Sequence, residues 1–170
     1  MPPDSKAFII KRADQEDAGL ICDAHAASIR ELGAQAYNPD IVALWGAKKD
    51  PESYRAAMAD HGEVYFLARE TTSHDSIMGF SSYRFEKGRH NLQSIYVRGT
   101  ASRRGIGTAL LKTVEDFART NGAAELHVEG SLVAEPFYKA AGFTLLSRGQ
   151  HPLRGSMLTI ETVIMKKHLS

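Results

Sequence analysis

The segment Val97-Arg98-Gly99-Thr100-Ala101-Ser102-Arg103-Arg104-Gly105-Ile106-Gly107-Thr108 decides how the chain is read. Before it stands the apolar run Asn91-Leu92-Gln93-Ser94-Ile95-Tyr96-Val97, a strand. After it Ile106, Leu110, Leu111, Val114, Phe117 and Ala118 recur on one helix face as far as Asn121-Gly122. The first N–H groups of such a helix have no intrahelical acceptor and lie at the positive end of its dipole, so its entrance is an anion site. Gly105 and Gly107 keep side-chain atoms away from an approaching phosphate, and Arg103 and Arg104 add charge-assisted donors. A pyrophosphate suits this arrangement. No Gly-Lys-Ser or Gly-Lys-Thr ending follows, and the third glycine of a dinucleotide fingerprint is missing, which argues against ATP hydrolysis and hydride transfer.

Upstream, Val64-Tyr65-Phe66-Leu67-Ala68, the run 77–85 and the run 91–97 are three apolar stretches with short polar links, most simply an antiparallel meander. Downstream, Leu126-His127-Val128 is a further strand, so the long helix is a right-handed crossover between parallel strands. A short helix over 133–141 stops at Gly142 and delivers Phe143-Thr144-Leu145-Leu146. A polar loop around 150–155 then precedes a last strand over 157–165. Toward the N-terminus, 7–11 is an opening strand, and Asp14 with Asp17 forms a capping box for a helix over 15–32. A second helix is expected over 39–46, and Asp50-Pro51 reads as N-cap and N1 of a third. The fold class is therefore mixed α/β, with an antiparallel first half and a crossover unit in the second.

The 170 residues are 43% hydrophobic and 24% charged, within the range of a single globular domain that needs no disulfide or metal staple. A net charge of +1 with no long basic run argues against a nucleic-acid partner. Cys22 is the only cysteine, so no intramolecular disulfide or thiolate cluster forms, and the seven histidines make no metal-ligand spacing; no metal is expected. The N-terminus lacks the pattern of a secretory signal, and no run approaches the ~20 apolar residues of a membrane span, so a cytoplasmic protein is the expectation.

Three segments in this order resemble the GNAT superfamily of N-acetyltransferases: Gln93-Ser94-Ile95-Tyr96-Val97, Arg103-Arg104-Gly105-Ile106-Gly107-Thr108-Ala109-Leu110-Leu111, and Ala134-Glu135-Pro136-Phe137-Tyr138-Lys139-Ala140-Ala141-Gly142-Phe143. The likeness runs over residues 64–143. It implies one N-acetyltransferase domain over residues 1–170, with a curved, mostly antiparallel mixed sheet flanked by helices and splayed beside the strand ending at Val97. It also implies acetyl-CoA as cosubstrate, with main-chain groups of Ile95, Tyr96 and Val97 along the pantetheine arm. The N–H groups of Arg104, Gly105, Ile106, Gly107 and Thr108 would sit on the pyrophosphate, with Arg103 supplying charge. Two positions depart from the family pattern: Ser102 stands where an Arg or Gln is usual, and Val133 where an Asn is common.

The same resemblance makes Tyr138 the general acid that protonates the departing CoA thiolate. Transfer would be direct, to a primary amine of a small molecule or peptide, and Cys22 gives no reason for a covalent intermediate. A noncatalytic CoA-binding regulatory or interaction domain is the competing reading. The base is left open: Gln93 and Ser94, where many relatives carry an acidic group, are not competent bases at neutral pH, and Glu129 and His127, on one face of the next strand, are the alternatives. Tyr37, Trp45 and His151 border the acceptor side, and a sheet edge leaves a homodimer open.

Overall fold

The computed structural model describes residues 8–47, 49–72, 75–101, 104–153 and 155–170. Its strands are β1 (Phe8–Arg12), β2 (Val64–Glu70), β3 (Gly79–Glu86), β4 (Arg89–Val97), β5 (Glu125–Ser131), β6 (Thr144–Pro152) and β7 (Thr159–His168). They form one sheet in the order β1-β2-β3-β4-β5-β7-β6. Every neighbouring pair is antiparallel except β4 and β5. The expected meander is thus β2-β3-β4, and the crossover joins β4 to β5.

The helices are α1 (Ala18–Leu32), α2 (Pro39–Trp45), α3 (Pro51–Asp60), α4 (Ile106–Thr120) and α5 (Glu135–Ala140). Local chemistry fixes where three of them begin. Asp14 and Asp17 form a reciprocal capping box around a 3-10 turn that leads into α1. Asn38 accepts the Ile41 N–H ahead of α2, Asp50 accepts the Glu52 N–H ahead of α3, and Pro39 and Pro51 occupy the first helical positions.

Each face of the sheet buries a different helix set. Ile106, Leu110, Val114 and Ala118 of α4 pack with Phe66, Leu92, Leu126, Val128 and Met165. On the opposite face Ile21, Cys22 and Ala24 of α1 meet Tyr65, Leu67 and Phe80, with Tyr54 of α3 alongside. A smaller cluster of Ile29, Tyr37, Trp45, Leu153 and Ile160 seals the end where α2 approaches the last hairpin.

Two irregularities in β4 shape the centre of the molecule. Ser82 pairs with Ser94 but Tyr83 pairs with Leu92, so Gln93 is an extra residue, a β-bulge. The bulge resets the alternation. Leu92, Ile95 and Val97 all join the core beneath α4, whereas Tyr96 packs into the clusters on the α1 side. Beyond it β4 parts from β5: the two strands pair only at Asn91↔His127 and Leu92↔Val128.

The last hairpin departs from the expectation. The polar stretch around 150–155 is not a loop from its start, because β6 continues to Pro152 and the turn closes through the Leu153 N–H on the Leu158 carbonyl at 2.9 Å. Edge strand β6 is exposed along most of its length, and polarity cannot separate such a strand from a loop.

Asp17 also ties α1 to the sheet. One of its carboxylate oxygens accepts the Asp14 N–H at 3.0 Å and the other accepts Arg69 Nη2 from β2 at 2.6 Å, with only 10–12% of either side chain exposed. Asp17→Ala removes the cap and withdraws the carboxylate from a buried guanidinium. A loss of about 3 kcal/mol is expected, read as a lowered urea midpoint with unchanged slope.

Candidate active site

At the start of α4 Gly105 occupies the N-cap with φ 79°, a left-handed conformation, and no side chain caps the helix. The first helical hydrogen bond recorded there runs from the Ala109 N–H to the Gly105 carbonyl at 3.0 Å, so the N–H groups of Ile106, Gly107 and Thr108 remain for a ligand. A Cβ on Gly105 would meet nothing within 4 Å, which leaves open space at the helix end. A Cβ on Gly107 would lie 3.4 Å from the Phe137 ring and 3.8 Å from Val97 Cγ2, placing α4, α5 and the end of β4 around one point. Arg104 is exposed and 3.7 Å from Glu70, a solvent-screened pair that leaves its charge available to an anion. Arg103 and Ser102 lie outside the described residues.

The parted strands open a cavity of ≈ 330 Å³, lined by Ile95, Tyr96 and Val97 on one wall, Ser131, Val133, Ala134 and Phe137 on the other, and Gly105, Gly107 and Thr108 at one end. Between Gln93 and Val97 the edge of β4 that faces β5 carries no strand partner, which frees main-chain donors and acceptors for an extended ligand. A second cavity of ≈ 640 Å³ lies farther back along β4, beside Asn91 to Ser94, and the two share Trp45, Tyr96 and Ser131. Acidic Glu63, Glu86 and Glu129 line the second cavity together with Tyr54, Tyr65 and Phe80.

Tyr138 is 2% exposed, with ring centroids 5.5 Å from Phe137 and 5.3 Å from Phe143. Tyr138 is not among the residues that line either cavity; its neighbour Phe137 is. Burial, reinforced by Tyr96, raises its pKa above the ordinary tyrosine value, so the group is held as a neutral donor. Its ring lies on Gly130 of β5, where a Cβ would come within 2.6 Å of Cε2. Sequence reading passed over Gly130, although a glycine inside a strand is itself the mark of such a close approach.

The candidate bases separate: Glu129 lines the larger cavity, as do Gln93, Ser94 and His151, whereas His127 does not and sits 3.3 Å from Glu125. Glu129 accepts from Thr162 Oγ1 at 2.9 Å. Trp45 lines both cavities, whereas Tyr37 is a brace: its hydroxyl donates to the Glu161 carbonyl at 2.7 Å and accepts the Leu132 N–H at 2.8 Å. Two further residues of the larger cavity, His25 and Glu63, carry polar chemistry that no sequence pattern flagged, and the buried Ser82 donates to Glu63 at 2.6 Å. Among the described residues no group of three or more His, Cys, Asp or Glu is placed to hold a metal ion, and no helix is long and apolar enough to cross a membrane.

Residues 33–154 match the family model of the acetyltransferase (GNAT) domain. The chain belongs to the GNAT family. A curated relative, the uncharacterized N-acetyltransferase YafP of Escherichia coli, is 25% identical over 150 residues, covering 88% of this chain and 90% of its own. The GCN5-related N-acetyltransferase of Rhodopseudomonas palustris superposes with TM-score 0.80 at 25% identity, over 95% of each chain. The PaiA N-acetyltransferase of Thermoplasma acidophilum, solved in complex with coenzyme A, superposes with TM-score 0.73 at 18% identity, over 95% of this GNAT chain and 98% of its own. The open mixed sheet with its one parallel pair is the GNAT architecture.

The contact between Gly130 and Tyr138 is testable without a substrate. Gly130→Ala forces the ring away from β5 and should cost roughly 1–3 kcal/mol of stability by overpacking, whereas Gly107→Ala, with 3.4 Å of room, should cost less. Thermal melting of the two variants side by side checks the order.

Proposed function

We propose that this GNAT protein transfers the acetyl group of acetyl-CoA directly to a primary amine of a small molecule or peptide. The observation that carries the reading is the continuity of the cleft: an uncapped helix entrance, an unpaired strand edge and a second, acidic cavity follow one another along β4. The CoA complex of the PaiA relative supports the same use of the fold.

The residues present fit the cosubstrate. A diphosphate needs several donors converging on open space, which the N–H groups of Ile106, Gly107 and Thr108 beyond Gly105 supply, with Arg104 adding charge. Main-chain groups of Ile95, Tyr96 and Val97 suit an amide-bearing arm laid along β4, since a strand edge pairs with peptide-like groups. Acetyl-CoA supplies an activated acyl group as a thioester. The main chain near Val97 stabilises the developing oxyanion, and the acidic lining of the second cavity favours an acceptor that arrives as an ammonium. Tyr138 donates its hydroxyl proton toward the departing sulfur; burial keeps that proton in place until charge builds on sulfur.

Purified protein incubated with acetyl-CoA and a panel of primary amines, with free thiol and acetylated product both followed, tests this function. Acceptor-dependent thiol release is expected. Saturable CoA binding without turnover on any amine would instead favour a noncatalytic CoA-binding domain.

Two variants divide the roles. Tyr138→Phe should lower kcat by roughly 100-fold or more with little change in acetyl-CoA affinity, and equal activity in the folded variant would remove the residue from the reaction. Gly105→Ala places a Cβ at φ 79° and into the ligand's space, so it should weaken CoA binding, read by calorimetry, in addition to a backbone cost of about 1–2 kcal/mol.

A further inference from the structure

Glu63 stands immediately before β2 and is buried, unlike most glutamates. Its carboxylate accepts Ser82 Oγ at 2.6 Å, and Ser82 Oγ lies 2.5 Å from Ser94 Oγ. Because Ser82 spends its only proton on Glu63, it must accept from Ser94, which gives the chain one direction. Ser94 in turn keeps its lone pairs for a further donor. Ser94 and Glu63 both line the larger cavity, and Ser94 is two residues from Tyr96, which lines both cavities. The bulge at Gln93 is what sets Ser94 opposite Ser82.

We propose that Glu63 is the terminal proton acceptor for the attacking ammonium, reached through Ser94 and Ser82. The proposal rests on the acetyltransferase reading and extends it to the residue that readies the nucleophile. An N–H bond of the ammonium breaks as Ser94 Oγ gains that proton, the Ser94 proton passes to Ser82, and the Ser82 proton passes to the Glu63 carboxylate. The freed nitrogen lone pair forms the C–N bond to the acetyl carbon, the C–S bond breaks, and the second amine proton compensates the one delivered to sulfur. Glu63 then returns its proton to solvent.

Other groups in the cavity suit this task less well. His25 binds the Tyr54 hydroxyl through Nδ1 at 2.6 Å, and burial together with Lys49 lowers its pKa to about 3, too weak a base at neutral pH. Glu129 is exposed and already accepts from Thr162. Around Glu63 stand Ser82, Tyr65, Arg84 and His61, and Tyr54 faces it from α3. Burial is the largest influence and raises the Glu63 carboxyl above the ordinary carboxylate range; hydrogen bonds from Ser82 and Tyr65 and the charges of Arg84 and His61 oppose it only in part. Such a carboxylate is a stronger base than an exposed one.

The test compares two small nucleophiles with acetyl-CoA: ethylamine, an ammonium at neutral pH, and hydroxylamine, whose nitrogen is already unprotonated there. Glu63→Gln keeps an acceptor for Ser82 and removes the base. Its kcat/KM for ethylamine should fall by roughly 100-fold, with hydroxylamine transfer and acetyl-CoA affinity close to wild type. In the wild type ethylamine transfer rises with pH as Glu63 deprotonates; in Glu63→Gln that rise should move to higher pH, where ethylamine itself loses its proton in solution. Ser94→Ala, which leaves the Glu63–Ser82 bond intact, should give the same split between nucleophiles. Equal losses with both nucleophiles, or undiminished ethylamine transfer in Glu63→Gln, would overturn the relay alone. A wild-type protein that acetylates neither of these nor any amine of the panel would overturn the acetyltransferase reading and the relay with it.

Discussion

Two residue pairs, and no more, hold β4 to β5. Everything chemical about this protein depends on that short contact. A sheet whose central strands stayed paired would satisfy its own backbone groups and have nothing to offer a ligand. Here the pairing at Asn91 and Leu92 is enough to carry the sheet across its middle, and the remaining edge of β4 is held open by what packs on each side. Ile95 and Val97 are fixed from below by the α4 core, Tyr96 from above by aromatic neighbours at 4.1 to 6.4 Å. The gap is therefore a consequence of good packing on both faces.

The bulge at Gln93 performs a second task. A strand alternates strictly, so Leu92, Ser94 and Tyr96 would otherwise share a face. One additional residue lets Leu92 remain in the core beneath α4 while Ser94 and Tyr96 turn toward the α1 side. A single insertion thus converts a structural strand into one that is structural at its start and chemical at its end.

Much of this was legible in the sequence where the cause was local. Asp14 with Asp17 and Asp50 with Pro51 act within one turn, and the apolar spacing of α4 names its buried face from residues 106 to 118 alone. Gly105 announced the helix entrance because the left-handed N-cap favours glycine. What stayed hidden was set by partners distant in sequence. Tyr37 meets Glu161 across 124 positions, and Ser82 meets Glu63 across 19. Neither residue has a pattern around it that distinguishes a brace or a relay from an ordinary buried polar group. The last hairpin failed differently, because an exposed edge strand and a polar loop share one composition.

The hydroxyl of Tyr37 has a consequence for binding thermodynamics. It joins the helical N-terminal region to β7 and to the chain just beyond β5, so the roof of the cleft is bolted to its far wall. Such a roof does not close over a ligand as a lid would. The width of the opening is set during folding, and the ordering entropy that a mobile cover would lose at each encounter has already been lost once, before any ligand arrives.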